Sequence, residues 1–127
     1  MTQLMRGTLH LLLAGGVLAA CTASAGAGGP PPSAPPGGAV VTAQGFVFDR
    51  ATLVVPAGRS FSLLFENRDS APHNVRIFDD DPGQPLFTGE IFGGQDSRTY
   101  DVPSIPAGNH RFRCDVHTEM AGTIVAN

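Results

Sequence analysis

From residue 40 onward, apolar side chains recur at every second position in short runs. Phe46 and Phe48 form one pair, followed by Phe61, Leu63 and Phe65, then Val75 and Ile77, then Tyr100 and Val102. A period of two marks a strand with one buried face, because successive side chains point to opposite sides of a sheet. Turn-forming clusters separate the runs: Pro56-Ala57-Gly58, Asn67-Arg68-Asp69-Ser70, Asp81-Pro82-Gly83, Gly93-Gly94 and Pro106-Ala107-Gly108. The Val75 and Ile77 run is read as a strand over His73–Phe78, and two further strands over Gly108–Cys114 and Gly122–Ala126. No window holds a 3.6-residue period. The pattern predicts an all-β domain over residues 40–127, with about eight short strands closing into a sandwich or barrel. Eight phenylalanines and many aliphatic side chains are enough to build its core.

Ahead of this domain the pattern changes twice. Arg6 precedes an apolar run from Leu9 to Ala20, which reads as a signal peptide over residues 1–21. The run is short and glycine-rich for a membrane span, which needs about 20 apolar residues. Leu18-Ala19-Ala20-Cys21 resembles a bacterial lipobox, in which Cys21 is lipidated and begins the mature chain. The expectation is an exported, membrane-anchored lipoprotein facing the periplasm or the cell exterior. Residues 22–39 hold Pro, Gly, Ala and Ser and no large apolar side chain, so they read as a linker between anchor and domain. The formal charge is −3 and the eight basic residues, all Arg, are scattered. Nucleic-acid binders carry a clustered basic face, so that class of partner is excluded. The chain is expected to act as a monomer.

The chemistry concentrates in Cys114-Asp115-Val116-His117-Thr118-Glu119-Met120, which carries the only Cys and the only Met beyond residue 21. Cys114 has no disulfide partner in the domain, and an unpaired thiol in an oxidising compartment is a liability unless something occupies it. A structural zinc site takes four ligands drawn from Cys and His, often with paired cysteines, a set that this domain with its single Cys cannot supply. A Cys–His nucleophile pair lacks a third residue to orient its base. A helix would separate Cys114 and Met120 by about 9 Å along its axis, whereas a loop can wrap both round one point. A bound soft metal is the best account. Of the remaining histidines, His110 lies on a strand some four residues from Cys114 and reads as structural or surface. His73 opens a strand after a turn; taken alone it reads as a surface histidine, and beside the 114–120 loop as a candidate ligand. Two imidazoles, a thiolate and a weak thioether are the donor set of blue copper.

These residues bring the chain close to a known family. Phe65-Glu66-Asn67, Pro72-His73-Asn74-Val75, Gly108 to Cys114, the 114–120 loop and Gly122-Thr123-Ile124-Val125 resemble the cupredoxin family, in its plastocyanin–amicyanin branch. Cys-x-x-His-x-x-Met is similar to the short amicyanin ligand loop. The resemblance implies a Greek-key sandwich and one type 1 copper per chain, held by His73, Cys114, His117 and Met120. It also implies a supporting role for Asn74, its backbone N–H directed at the Cys114 sulfur and its side chain pinning the loops. The function implied is electron transfer with redox protein partners and no enzymatic activity, since no second His cluster is present; a copper-delivery module is the alternative. His117 is expected to reach the surface inside an apolar collar of Ala71, Pro72, Val116 and Ala121. Glu90 reads as a surface carboxylate, and Asp79-Asp80-Asp81 either as a solvated turn or as a docking patch.

Overall fold

The β-strand pattern is realised as nine strands in the computed structural model, which describes residues 33–34 and 36–127. The predicted signal peptide, Cys21 and most of the linker lie outside the described residues. In order the strands are β1 (Ala39–Gln44), β2 (Val47–Phe48), β3 (Thr52–Val55), β4 (Phe61–Asn67), β5 (Arg76–Phe78), β6 (Pro85–Thr88), β7 (Asp96–Val102), β8 (Gly108–Arg113) and β9 (Ala121–Ala126). They form two sheets, ordered β2-β1-β4-β7 and β3-β9-β8-β5-β6, and the described residues contain no helix. The first strand starts at Ala39, one residue inside the segment read as linker. Of the run read over Phe46 and Phe48, only Val47–Phe48 pairs as a strand, the two-residue β2.

Alternation decides which side chains fill the space between the sheets. In β4, Phe61, Leu63, Phe65 and Asn67 are buried while the residues between them are only partly covered. The three apolar ones meet Leu53, Val55, Ile77, Phe112, Ile124 and Ala126 from the other sheet in one core cluster. Fully burying a Leu, Ile or Phe stabilises by about 1.5–3 kcal/mol each. Close approach is built in at Gly122, where an added Cβ would stand 2.4 Å from Cζ of Phe112 and 2.9 Å from the Ala51 carbonyl oxygen.

Two registers bring distant segments to one end of the sandwich. β1 and β4 run parallel with Ala43 paired to Asn67, so the hairpin tip after β1 and the turn after β4 emerge side by side. β8 and β9 are antiparallel with Arg113 paired to Ala121, so residues 114–120 form the loop that joins their ends. The strand expected from His73 starts only at Arg76. Pro72 and the inward-turned Asn74 break the ladder, and His73 instead makes an isolated bridge to Phe92, with reciprocal N–H···O bonds of 3.1 Å.

Candidate metal centre

The 114–120 loop is closed by its own backbone. The Cys114 N–H donates to the Met120 carbonyl at 2.9 Å, and the Met120 N–H donates to the His117 carbonyl at 3.0 Å. Cys114 and Met120 are buried within the core cluster, and His117 is half-buried. The facing wall comes from His73, which is fully buried and fixed by its bridge to Phe92.

Asn74 joins the two walls. Its side-chain amide donates to the Asp115 carboxylate at 2.8 Å and to the Gly89 carbonyl at 3.1 Å, while its oxygen accepts the Asp115 N–H at 2.8 Å. The other Asp115 oxygen pairs with Nε of Arg76 at 3.0 Å. The residue after Cys114 is therefore held on both its backbone and its side chain, and the sulfur has little freedom to move.

Three donor atoms converge between these walls. The Cys114 Sγ lies 3.8 Å from Nδ1 of His73 and 4.0 Å from Nδ1 of His117, and the two Nδ1 atoms are 3.1 Å apart. Two imidazole lone pairs repel at that separation unless a proton or cation lies between them. The circle through the three atoms has a radius of about 2.1 Å, against metal–nitrogen bonds of about 2.0–2.1 Å and metal–sulfur bonds of about 2.3 Å. An ion near their plane would reach all three without rearrangement. A His₂Cys donor set with only a thioether as the further soft donor of its loop suits copper better than a structural zinc site.

Phe46 and Asp69 belong to this end of the molecule and were missed as site residues in the sequence. The hydrophobic alternation assigned Phe46 to a strand beside Phe48, but Gly45 and Phe46 both have φ of 63° and form the two-residue tip between β1 and β2. Such a tip needs positive φ at both positions, and a residue with a Cβ loses roughly 1–2 kcal/mol there. Phe46 is 53% exposed, and its ring meets His117 edge-on at 4.9 Å and His73 at 5.6 Å between centroids. Asp69, read only as a turn residue, accepts the Gly45 and Phe46 N–H groups at 2.8 and 3.1 Å and pairs with Nε2 of His73 at 3.0 Å. Those backbone donors first, and His73 with them against the cost of burial, hold the Asp69 carboxyl below the usual carboxylate range. The only sequence signal was the four-residue spacing to His73.

Other candidates fall outside the cluster. His110 is buried on β8 with Nε2 2.7 Å from the Pro106 carbonyl and Nδ1 on the Asp79 carboxylate. Burial alone presses its pKa down, but those two hydrogen bonds outweigh it and the pKa is raised. Asp79 thus has a structural partner, and Asp81 accepts the Gly83 N–H at 2.7 Å within its own turn. Glu90 is exposed and 3.7 Å from Nε of Arg98. Around His117, Pro72, Val116 and Ala121 are exposed and Ala71 is half-buried; Phe46 contributes the largest apolar surface beside the ring.

A two-sheet sandwich with a buried thiol and two imidazoles at one end defines a small metal-binding β-protein. Residues 11–126 match the family model of the cupredoxin-like domain, and the chain belongs to that family. Solved structures share the fold at low identity. Auracyanin from the photosynthetic bacterium Roseiflexus castenholzii is 17% identical with a TM-score of 0.64, covering 75% of this chain and 99% of its own. Auracyanin A from Chloroflexus aurantiacus, described as a blue copper protein, is 17% identical with a TM-score of 0.61, covering 69% and 96%. Amicyanin from Paracoccus versutus is 20% identical with a TM-score of 0.57, covering 73% and 84%. No curated protein matches the sequence.

Proposed function

We propose that the domain binds one type 1 copper and passes single electrons between redox proteins, with His73, Cys114 and His117 as strong ligands and Met120 as the weak axial one. The observation that carries this reading is the triangle of Sγ and two Nδ1 atoms, whose sides of 3.1, 3.8 and 4.0 Å enclose room for one ion. Copper would supply a one-electron couple: thiolate and thioether favour Cu(I), imidazoles suit Cu(II). The chain's part is to keep the donors still. The Asn74–Asp115 pair, the closed loop and the His73–Phe92 bridge leave little to reorganise when charge changes. His117, half-buried under Phe46, is the ligand through which an electron would reach the surface, and the exposed apolar residues beside it suit a partner protein.

Rigid, buried donors also favour electron transfer over copper delivery, which needs exchangeable ligands, and nothing in the site calls for catalysis. The test is voltammetry of the copper-loaded protein together with competition by a moderate Cu(I) chelator. An electron carrier gives a reversible one-electron response and retains its copper. Prompt loss of copper to the chelator, without a reversible response, favours delivery. A signal over residues 1–21 would export the domain to the periplasm or the cell exterior, where acylated Cys21 and residues 22–39 would tether it as a monomer. Wild type should sediment with membranes and Cys21→Ala should not be acylated; wild type wholly in the soluble exported fraction contradicts the anchor.

A further inference from the structure

We propose that Asp69 is a positioning residue for the metal centre: one carboxylate orients the His73 imidazole and also holds the strained turn that lays Phe46 against both imidazoles. The inference rests on the reading of His73 and His117 as ligands. Three contacts carry it. Oδ1 accepts the Gly45 N–H at 2.8 Å, while Oδ2 accepts the Phe46 N–H at 3.1 Å and lies 3.0 Å from Nε2 of His73. An ionised carboxylate can only accept, so Nε2 carries the proton and donates it, which leaves the Nδ1 lone pair facing Cys114 and His117. One tautomer of His73 is thereby selected before any ion arrives.

The same oxygens explain an otherwise unfavourable backbone. Phe46 occupies the left-handed region at φ 63°, a conformation that non-glycine residues adopt only when their surroundings enforce it. The enforcing contacts are the two N–H groups of the tip on Asp69, and the result is a ring on the outer side of His117 and His73. Asp69 is in turn fixed by its own N–H, which donates to Oδ1 of Asn67 at 2.9 Å; Asn67 is fully buried and donates to the Ala71 and Phe92 carbonyls at 2.9 Å each. A negative charge on the far side of an imidazole ligand favours the more positive metal ion. Asp69 therefore both pre-orients the site and biases copper toward Cu(II).

The experiment compares wild type with Asp69→Asn, Asp69→Ala and Asp69→Glu. Zn(II) serves as a redox-silent probe of affinity, and NMR of the Zn(II)-loaded protein follows the His73 Nε2–H proton and the proximity of Phe46 to His117. In Asp69→Ala the Zn(II) affinity should fall about 10–100-fold, the Nε2–H proton should exchange with solvent, and the Phe46–His117 contacts should vanish. Asp69→Asn keeps one acceptor oxygen and tests the charge even where the Ala variant folds poorly. In copper-loaded Asp69→Asn the preference for Cu(II) over Cu(I) should fall about tenfold, a rise of about 59 mV for a one-electron couple. Asp69→Glu should recover part of the affinity. Wild-type Zn(II) affinity and a protected Nε2–H proton in both the Ala and Asn variants would overturn the proposal. If wild type binds Cu(II) without an intense thiolate band, the electron-transfer reading fails, while the Zn(II) affinities and the NMR signals still decide the role of Asp69.

Discussion

Asn74→Ala should loosen the loop that carries three of the four proposed ligands. The substitution deletes three hydrogen bonds, two to Asp115 and one to Gly89, from a side chain with no exposed surface. It also leaves the Asp115 N–H and the Gly89 carbonyl without these partners. A net hydrogen bond stabilises by about 0.5–1.5 kcal/mol, and an orphaned buried partner costs about 1–3 kcal/mol, so a loss of roughly 3–4 kcal/mol is expected. In a domain of this size each kcal/mol lowers the melting temperature by about 4–8 °C, which gives a fall of roughly 12–32 °C. The assay is denaturant unfolding of the metal-free protein followed by circular dichroism, with a parallel measurement of the rate at which bound metal is lost to a chelator. Stability should drop and the off-rate should rise. A loss below about 1 kcal/mol with an unchanged off-rate would show that this network does not hold the site.

Three further outcomes follow from single contacts. Gly122→Ala forces a Cβ to within 2.4 Å of the Phe112 ring and 2.9 Å of a backbone oxygen, so denaturant unfolding should show destabilisation at or above the top of the usual overpacking range of about 1–3 kcal/mol. The raised pKa of His110 means that the native state holds this proton more tightly than the unfolded chain, so the stabilisation is complete below the unfolded value of about 6.5 and is lost as pH rises through the folded value. The stability difference between wild type and Asp79→Asn should accordingly be larger at acidic than at alkaline pH; a pH-independent difference would contradict the pairing. Met120→Leu should leave copper bound and raise the reduction potential, since it removes only a weak axial donor, and an unaltered potential and spectrum would exclude Met120 as a ligand.

The parts of this molecule legible in sequence are those where one local rule governs. Alternation located β4, β7, β8 and β9 because each has one face in the core, and the Cys114–Met120 spacing singled out the ligand loop because few other arrangements use those residues in an exported domain. What stayed hidden depends on contacts between segments. Phe46 looked like a strand residue because aromatic side chains rarely take positive φ; only the Asp69 carboxylate, 23 residues away, makes that conformation tenable. Asp69 looked like any turn aspartate, since nothing local shows that the β1 tip and the β4 turn share one end of the sandwich. The strand expected at His73 begins at Arg76 because an inward Asn74 side chain replaces ladder bonds with tertiary ones, a trade no residue-by-residue propensity records.

The central claim is that His73, Cys114 and His117 hold one copper ion through a thiolate, and optical titration of the purified metal-free protein with Cu(II) tests it most directly. An intense visible thiolate-to-copper absorption should grow in, saturate at one equivalent, bleach on reduction and be absent from Cys114→Ser. Colourless binding of Cu(II), or a clear preference for Zn(II) when both metals are supplied equally, would contradict the claim.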